Sequence, residues 1–157
     1  MDILFNNVGH VKIDTVYRKL LGKIALGIDP RLEALAEHQR LITLEDAFAD
    51  FKLARKALKP RTLYDYERVL KSALGAWLKL PLKHITKDMV AKRHLVLGEE
   101  SGPAYANYAM RLLRAIFNFA IAQYEDKDGQ PLITVNPVIR LTHTRAWYRV
   151  PRRQTLI

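Results

Sequence analysis

Asn107, Arg111 and Arg114 fall at spacings of four and three in the run PAYANYAMRLLRAIFNFA, which puts them on one side of a helix. One carboxamide and two guanidinium groups so placed can pair bidentately with base edges or with phosphates. The plainer account is ordinary helix-surface polarity. Lys59 and Arg61 flank a proline at a helix start, where free N–H groups and the helix dipole already attract an anion. Lys71, Lys79, Lys83, Lys87, Lys92 and Arg93 follow, opposed between Lys59 and Arg93 only by Asp65, Glu67 and Asp88. Tyr64, Tyr105 and Tyr108 lie beside these cations, in reach of phosphate or of a stacked base. The last nineteen residues hold Arg140, Arg145, Arg149, Arg152 and Arg153 and no acid. A basic segment broken by Pro151 suits wrapping along an anionic backbone; a flexible interdomain linker is the compatible alternative.

Catalytic chemistry finds no comparable foothold. There is no cysteine, so disulfides and thiolate metal sites are excluded. His10, His38, His84, His94 and His143 include no pair at a helical metal-ligand spacing. No P-loop, GxGxxG or GxSxG motif is present. His84 and His94 are read as surface or core-edge residues. Neither a catalytic residue, a metal nor a cofactor is expected. The chain of 157 residues is 49% hydrophobic with a net charge of +10, enough for one domain with tails. Its pI near 9.9 points to an anionic partner, nucleic acid or an acidic membrane surface. No apolar run approaches the roughly 20 residues of a membrane span, and Ile3-Leu4-Phe5 is too short for a signal-peptide core. A soluble, cytoplasmic protein without a small-molecule substrate is expected.

The elements that must position these groups are helical. Residues 1–14 have no clear period. Residues 15–28 (TVYRKLLGKIALGI) predict a short helix with Val16, Leu20, Ile24 and Leu26 on its apolar side and Gly27 as its stop. Residues 31–41 are helix-permissive and charged and are read as a connector. Thr43 and Asp46 make a capping box for a helix with Leu44, Ala47, Phe48, Phe51 and Leu58 in register, ended by Lys59-Pro60. A second helix spans 61–79, capped by Thr62 and Asp65, with Tyr66, Val69, Leu70, Ala73, Leu74 and Trp77 on its apolar face. A third begins at Thr86 and ends at Gly98. The fourth, 103–123, is roughly 30 Å long. It has Ala109, Leu112, Leu113, Ile116, Phe117 and Ala120 on one face. Residues 126–131 (DKDGQP) are a turn, and 132–135 a short extended piece. The expected fold is all-α: four helices packed as a compact bundle. The expected organisation is an N-terminal segment at 1–40, a helical domain at 41–138 and a basic linker at 139–157 that is not core.

Residues 43–137 resemble the core-binding domain of tyrosine recombinases, the phage-integrase family. The pieces are ITLEDAFADF, KPRTLYDYERVLK, ITKDMVAKRHLVL, SGPAYANYAMRLLRAIFNFA and the VNP of 135–137, in that order and spacing. LLGKIALGIDP at 20–30 is similar to the end of the arm-binding domain of prophage and integrative-island integrases. The resemblance covers about four-fifths of the chain.

It implies a four-helix SAM-like bundle preceded by a remnant of the arm-binding domain, forming half of a C-shaped clamp on duplex DNA at the core of an attachment site. A separate domain, absent here, would catalyse with an Arg, a Lys, a His-x-x-Arg pair and a nucleophilic Tyr. This chain has no His-x-x-Arg and stops where that domain would start. Binding without cleavage is therefore expected, in a bacterial cytoplasm and on the nucleoid, beside other recombinase protomers. The resemblance puts Lys59, Arg61, Thr62, Asn107, Arg111 and Arg114 at the DNA interface. Tyr105 and Tyr108 lie beside them, and Arg145, Arg149, Arg152 and Arg153 form a further arm. Tyr108 stands where such integrases often carry Arg. Two rivals remain: a helix-turn-helix regulator and a basic helical module for an acidic protein partner.

Overall fold

The computed structural model describes residues 18–19, 21–22, 24–27, 29–34 and 41–153. The chain divides into two compact units, Met1–His38 and Gln39–Ile157. In the first, helical backbone through Ala25 ends in a turn at Leu26 and Gly27, whose φ is +75°. Asp29 then accepts a hydrogen bond from the Arg31 amide at 2.9 Å and starts a second helical stretch at 30–34. Asp29-Pro30 thus both breaks one helix and opens another, as Pro at a first helical position allows. Ile24 and Leu26, expected on an apolar side, are exposed. Val16 and Leu20 lie outside the described residues.

The second unit is helical: α1 (Leu44–Ala54), α2 (Pro60–Leu74), α3 (Lys87–Ser101), α4 (Pro103–Gln123) and α5 (Ile139–His143), with 3-10 turns at Gly75–Trp77 and Leu82–His84. Among the described residues there is no strand, and only isolated bridges join Thr43 to Pro81 and Glu125 to Pro131. The protein is all-α. α4 is the centre, packed against α1, α2 and α3, and Ala106, Ala109, Met110, Leu113, Ile116 and Ala120 are wholly buried along it. Phe51 meets Phe119 edge-on at 5.8 Å and stacks on Phe48 at 6.3 Å. Burial of Phe48 and of Phe51 stabilises the fold by about 1.5–3 kcal/mol each.

Local signals set several boundaries. Thr43 Oγ1 accepts from the Asp46 amide and Asp46 accepts from the Thr43 amide, both at 3.2 Å, closing the expected capping box. Thr86 caps α3 through the Met89 amide. Asp126 Oδ1 accepts from the amides of Asp128 and Gln130 in the DKDGQP turn. Gly102 joins α3 to α4 at φ +96° and ψ 156°, a region that only glycine occupies without strain.

Tertiary contacts overrule other expectations. α1 stops at Ala54, short of Leu58, because the chain must turn before Pro60 can start α2. Lys59 is the N-cap of α2 without a side-chain bond; Thr62 and Asp65 do not cap it, and Asp65 pairs with Arg61 instead. α2 ends at Leu74, not Lys79. The carbonyls of Leu78 and Leu80 are drawn to the amides of Glu45 and Leu44, at 3.0 and 3.1 Å. They satisfy free donors at the start of α1. α3 runs through Gly98 to Ser101. The largest revision concerns the tail. Val138 and Leu141 are fully buried, and Trp147 and Tyr148 pack against the core. Residues 139–148 are core-docked, because α5 and the two aromatics cover apolar surface that α3 and α4 leave open.

Candidate nucleic-acid interface

Helix α2 begins with Lys59 and Arg61, both exposed. Arg61, 84% exposed, reaches Asp65 at 3.4 Å one turn on, a contact worth little in water. Thr62 is half-buried beside it. Two contacts fix the antiparallel run of α2 along α4: Tyr66 lies 6.3 Å from Tyr108, and the hydroxyls of Ser72 and Tyr105 hydrogen-bond to each other. Tyr105 is thereby occupied. Tyr108 keeps an exposed edge, and Asp65, Tyr66 and Arg68 influence its hydroxyl. Burial, with Tyr66 and Asp65, holds that phenol above its ordinary value while Arg68 opposes the shift, so the hydroxyl stays a hydrogen-bond donor. Arg68 belongs to this group although the spacing arguments passed over it. Its signal was its place one turn from Asp65, on the side that Tyr64 and Arg61 share.

The three polar residues of α4 part company. Arg111 is exposed, one turn from Tyr108. Arg114 is exposed with its guanidinium 5.3 Å from the centre of the Trp147 ring. Asn107 is only 1% exposed. Its Nδ2 donates to the Tyr148 carbonyl at 2.8 Å, and its Oδ1 accepts from the Tyr148 amide at 3.2 Å. His94 Nε2 lies 3.0 Å from the same oxygen. Since Oδ1 can only accept, Nε2 donates there. The expectation that Asn107 shares an open face with Arg111 and Arg114 fails: the tail covers it and occupies every polar atom of its side chain. His94, 2% exposed, is core rather than core edge.

The cations between Lys59 and Arg93 also divide. Asp65, Glu67 and Asp88 are held by Arg61, Lys52 and Arg140. Lys79 donates to Glu45 at 2.5 Å, and that bond raises its pKa. Arg93 Nε donates to the Ala73 carbonyl at 2.7 Å, closing the end of α2. Lys59, Lys71, Lys83, Lys87 and Lys92 are exposed and, among the described residues, have no carboxylate partner. In the tail, Arg145, Arg149, Arg152 and Arg153 are exposed. α4 itself carries no acid; Arg111 and Arg114 are its only charges.

No group of three His, Cys, Asp or Glu among the described residues could hold a metal ion. An open hollow of about 390 Å³ has a floor of Leu82, Ile85, Leu132 and Ile133 and a rim of Lys83 and Lys87. It presents no paired acid and base. No helix among the described residues is long and apolar enough to cross a membrane. Comparison of the chain with protein-family models, curated proteins and solved structures returns no match.

Proposed function

We propose that residues 41–153 form a duplex-DNA-binding domain of the tyrosine-recombinase core-binding type, a SAM-like helical bundle that grips the recombination site and does not cut it. One observation carries the reading: along α4 and residues 137–153 every charged side chain is cationic, and all but Arg140 are exposed. Lys59, Arg61 and Arg68 on α2, with Tyr108, Arg111 and Arg114 on α4, would contact the sugar-phosphate backbone. Such contacts position a protein on DNA and supply most of its affinity. Modest sequence selection would come from the guanidinium of Arg111 at a base edge. Asn107 belongs to the support of this surface, not to its contacts. In an intact recombinase the domain would hold the site while a separate catalytic domain attacks a phosphate.

The test is duplex binding by the full chain across a salt series. A log–log plot falling with a slope of about −0.9 for each phosphate contact is expected; a flat plot refutes DNA binding. A dimer on two spaced half-sites would identify a helix-turn-helix regulator instead, and equal affinity for heparin and duplex would identify a module for acidic partners. A nicked substrate that traps phosphotyrosyl intermediates should yield no covalent adduct.

A further inference from the structure

The tail is fastened at two consecutive residues. The carboxamide of Asn107 grips the backbone of Tyr148 by both its amide and its carbonyl, as a neighbouring strand would. The Tyr148 ring lies 4.7 Å from that of His94 and rests on Gly98, where a Cβ would stand 2.5 Å from its Cε2 and Cζ. Gly98 is therefore a seat for the ring rather than a helix stop. Trp147 meets His94 edge-on at 5.7 Å, takes the Arg114 guanidinium on its ring, and donates from Nε1 to Thr142 Oγ1 at 3.1 Å. Between them these contacts lead the chain from beside Arg114 to beside Asn107, against the direction of α4. The next residues are Arg149, Val150, Pro151, Arg152 and Arg153, all exposed and without an acid. Pro151 restricts its own φ and holds Val150 extended. A basic arm thus leaves the domain from a fixed point, one helical turn from Arg111.

We infer that Asn107 is a positioning residue: seated on His94 and Gly98, it moors the arm so that Arg149, Arg152 and Arg153 follow the same phosphate backbone that Arg111 and Arg114 meet. The inference rests on the duplex-DNA reading above. A free arm carries the same charges, but its ordering must be repeated at every binding event, which lowers affinity. A moored arm meets the backbone already directed.

Two variants release it by different routes. Asn107→Ala removes the grip on Tyr148. Gly98→Ala places a methyl group under the ring while favouring the helix itself, since alanine is the better helix former. Each is made in the full chain with Trp77→Phe, so that Trp147 fluorescence reports docking. Both should shift Trp147 emission to the red, reduce the salt slope by roughly 2–3 and weaken duplex binding about tenfold or more. In a background with Arg149, Arg152 and Arg153 all replaced by Ala, Gly98→Ala should leave the remaining DNA affinity unchanged, because the arm then has nothing to position. A purely structural role would carry the full loss into that background, and that result overturns the inference. Unchanged emission in both variants also overturns it, as does released emission with an unchanged slope. These failures differ from failure of the DNA reading, which is a flat salt plot for the parent protein.

Discussion

Asn107 and Arg111 stand one turn apart on α4, yet the two edges they mark are built for opposite purposes. At the closed edge, Asn107, His94 and Tyr148 exchange hydrogen bonds out of water, where an unmet polar group costs about 1–3 kcal/mol. At the open edge, Tyr108, with Arg68 acting on its hydroxyl, and Arg111 face solvent, where a charge contributes little to folding and remains available to a partner. Residues of similar polarity thus serve stability on one side of the helix and binding on the other. Burial makes the difference.

The contrast can be broken most forcefully at Asn107. Replacing it with Leu strands the Tyr148 amide and carbonyl and the His94 donor, and should cost on the order of 3 kcal/mol in denaturant unfolding; a loss below about 0.5 kcal/mol would place the closed edge among ordinary surfaces. A smaller effect is expected at the end of α4, where the Tyr124 hydroxyl donates to Asp50 at 2.5 Å. Burial, then that bond, pushes the Tyr124 phenol well above its ordinary 10.0. The folded chain keeps a proton that the unfolded chain releases, so this stabilisation is complete below pH 10 and declines as pH rises further. Unfolding followed from pH 8 to about 11 should show a shallower alkaline decline for Tyr124→Phe; identical curves would refute the assignment.

Arg145 tests the feed into the closed edge. It ends α5 at φ +55°, with the Ala146 amide donating to Leu141 and the Arg145 amide to Thr142, a Schellman turn in which glycine is the usual residue. Arg145→Gly should raise stability by about 1 kcal/mol; a loss would mean that the arginine side chain stabilises the turn. The least effect on folding is expected from Arg111→Ala, within about 0.5 kcal/mol, with a salt slope reduced by about 0.9. Unfolding of that variant, with its affinity per folded molecule intact, would make Arg111 structural and erase the contrast.

Much of the helical plan is legible in the residues because its signals are local. Thr43 and Asp46 cap α1 across one turn, Thr86 caps α3, and α4 starts at Pro103 as expected. The apolar period of α4 named its buried face. The candidate site divides along the same line. Exposed Lys59, Arg61, Tyr108 and Arg111 follow from helix starts and spacing. Asn107 does not, because residues forty-one positions apart decide its fate.

By itself the sequence determined the all-α class, the starts of α1 to α4, the cationic balance and the acid-free run of α4, since propensity, capping and charge act within a few residues. Tertiary structure alone decided that α2 ends at Leu74, that α3 passes through Gly98, and that the tail closes over Asn107. Each of these depends on which distant group arrives to cover an apolar surface or to satisfy a buried donor. Chain spacing carries no record of such meetings until the core has packed.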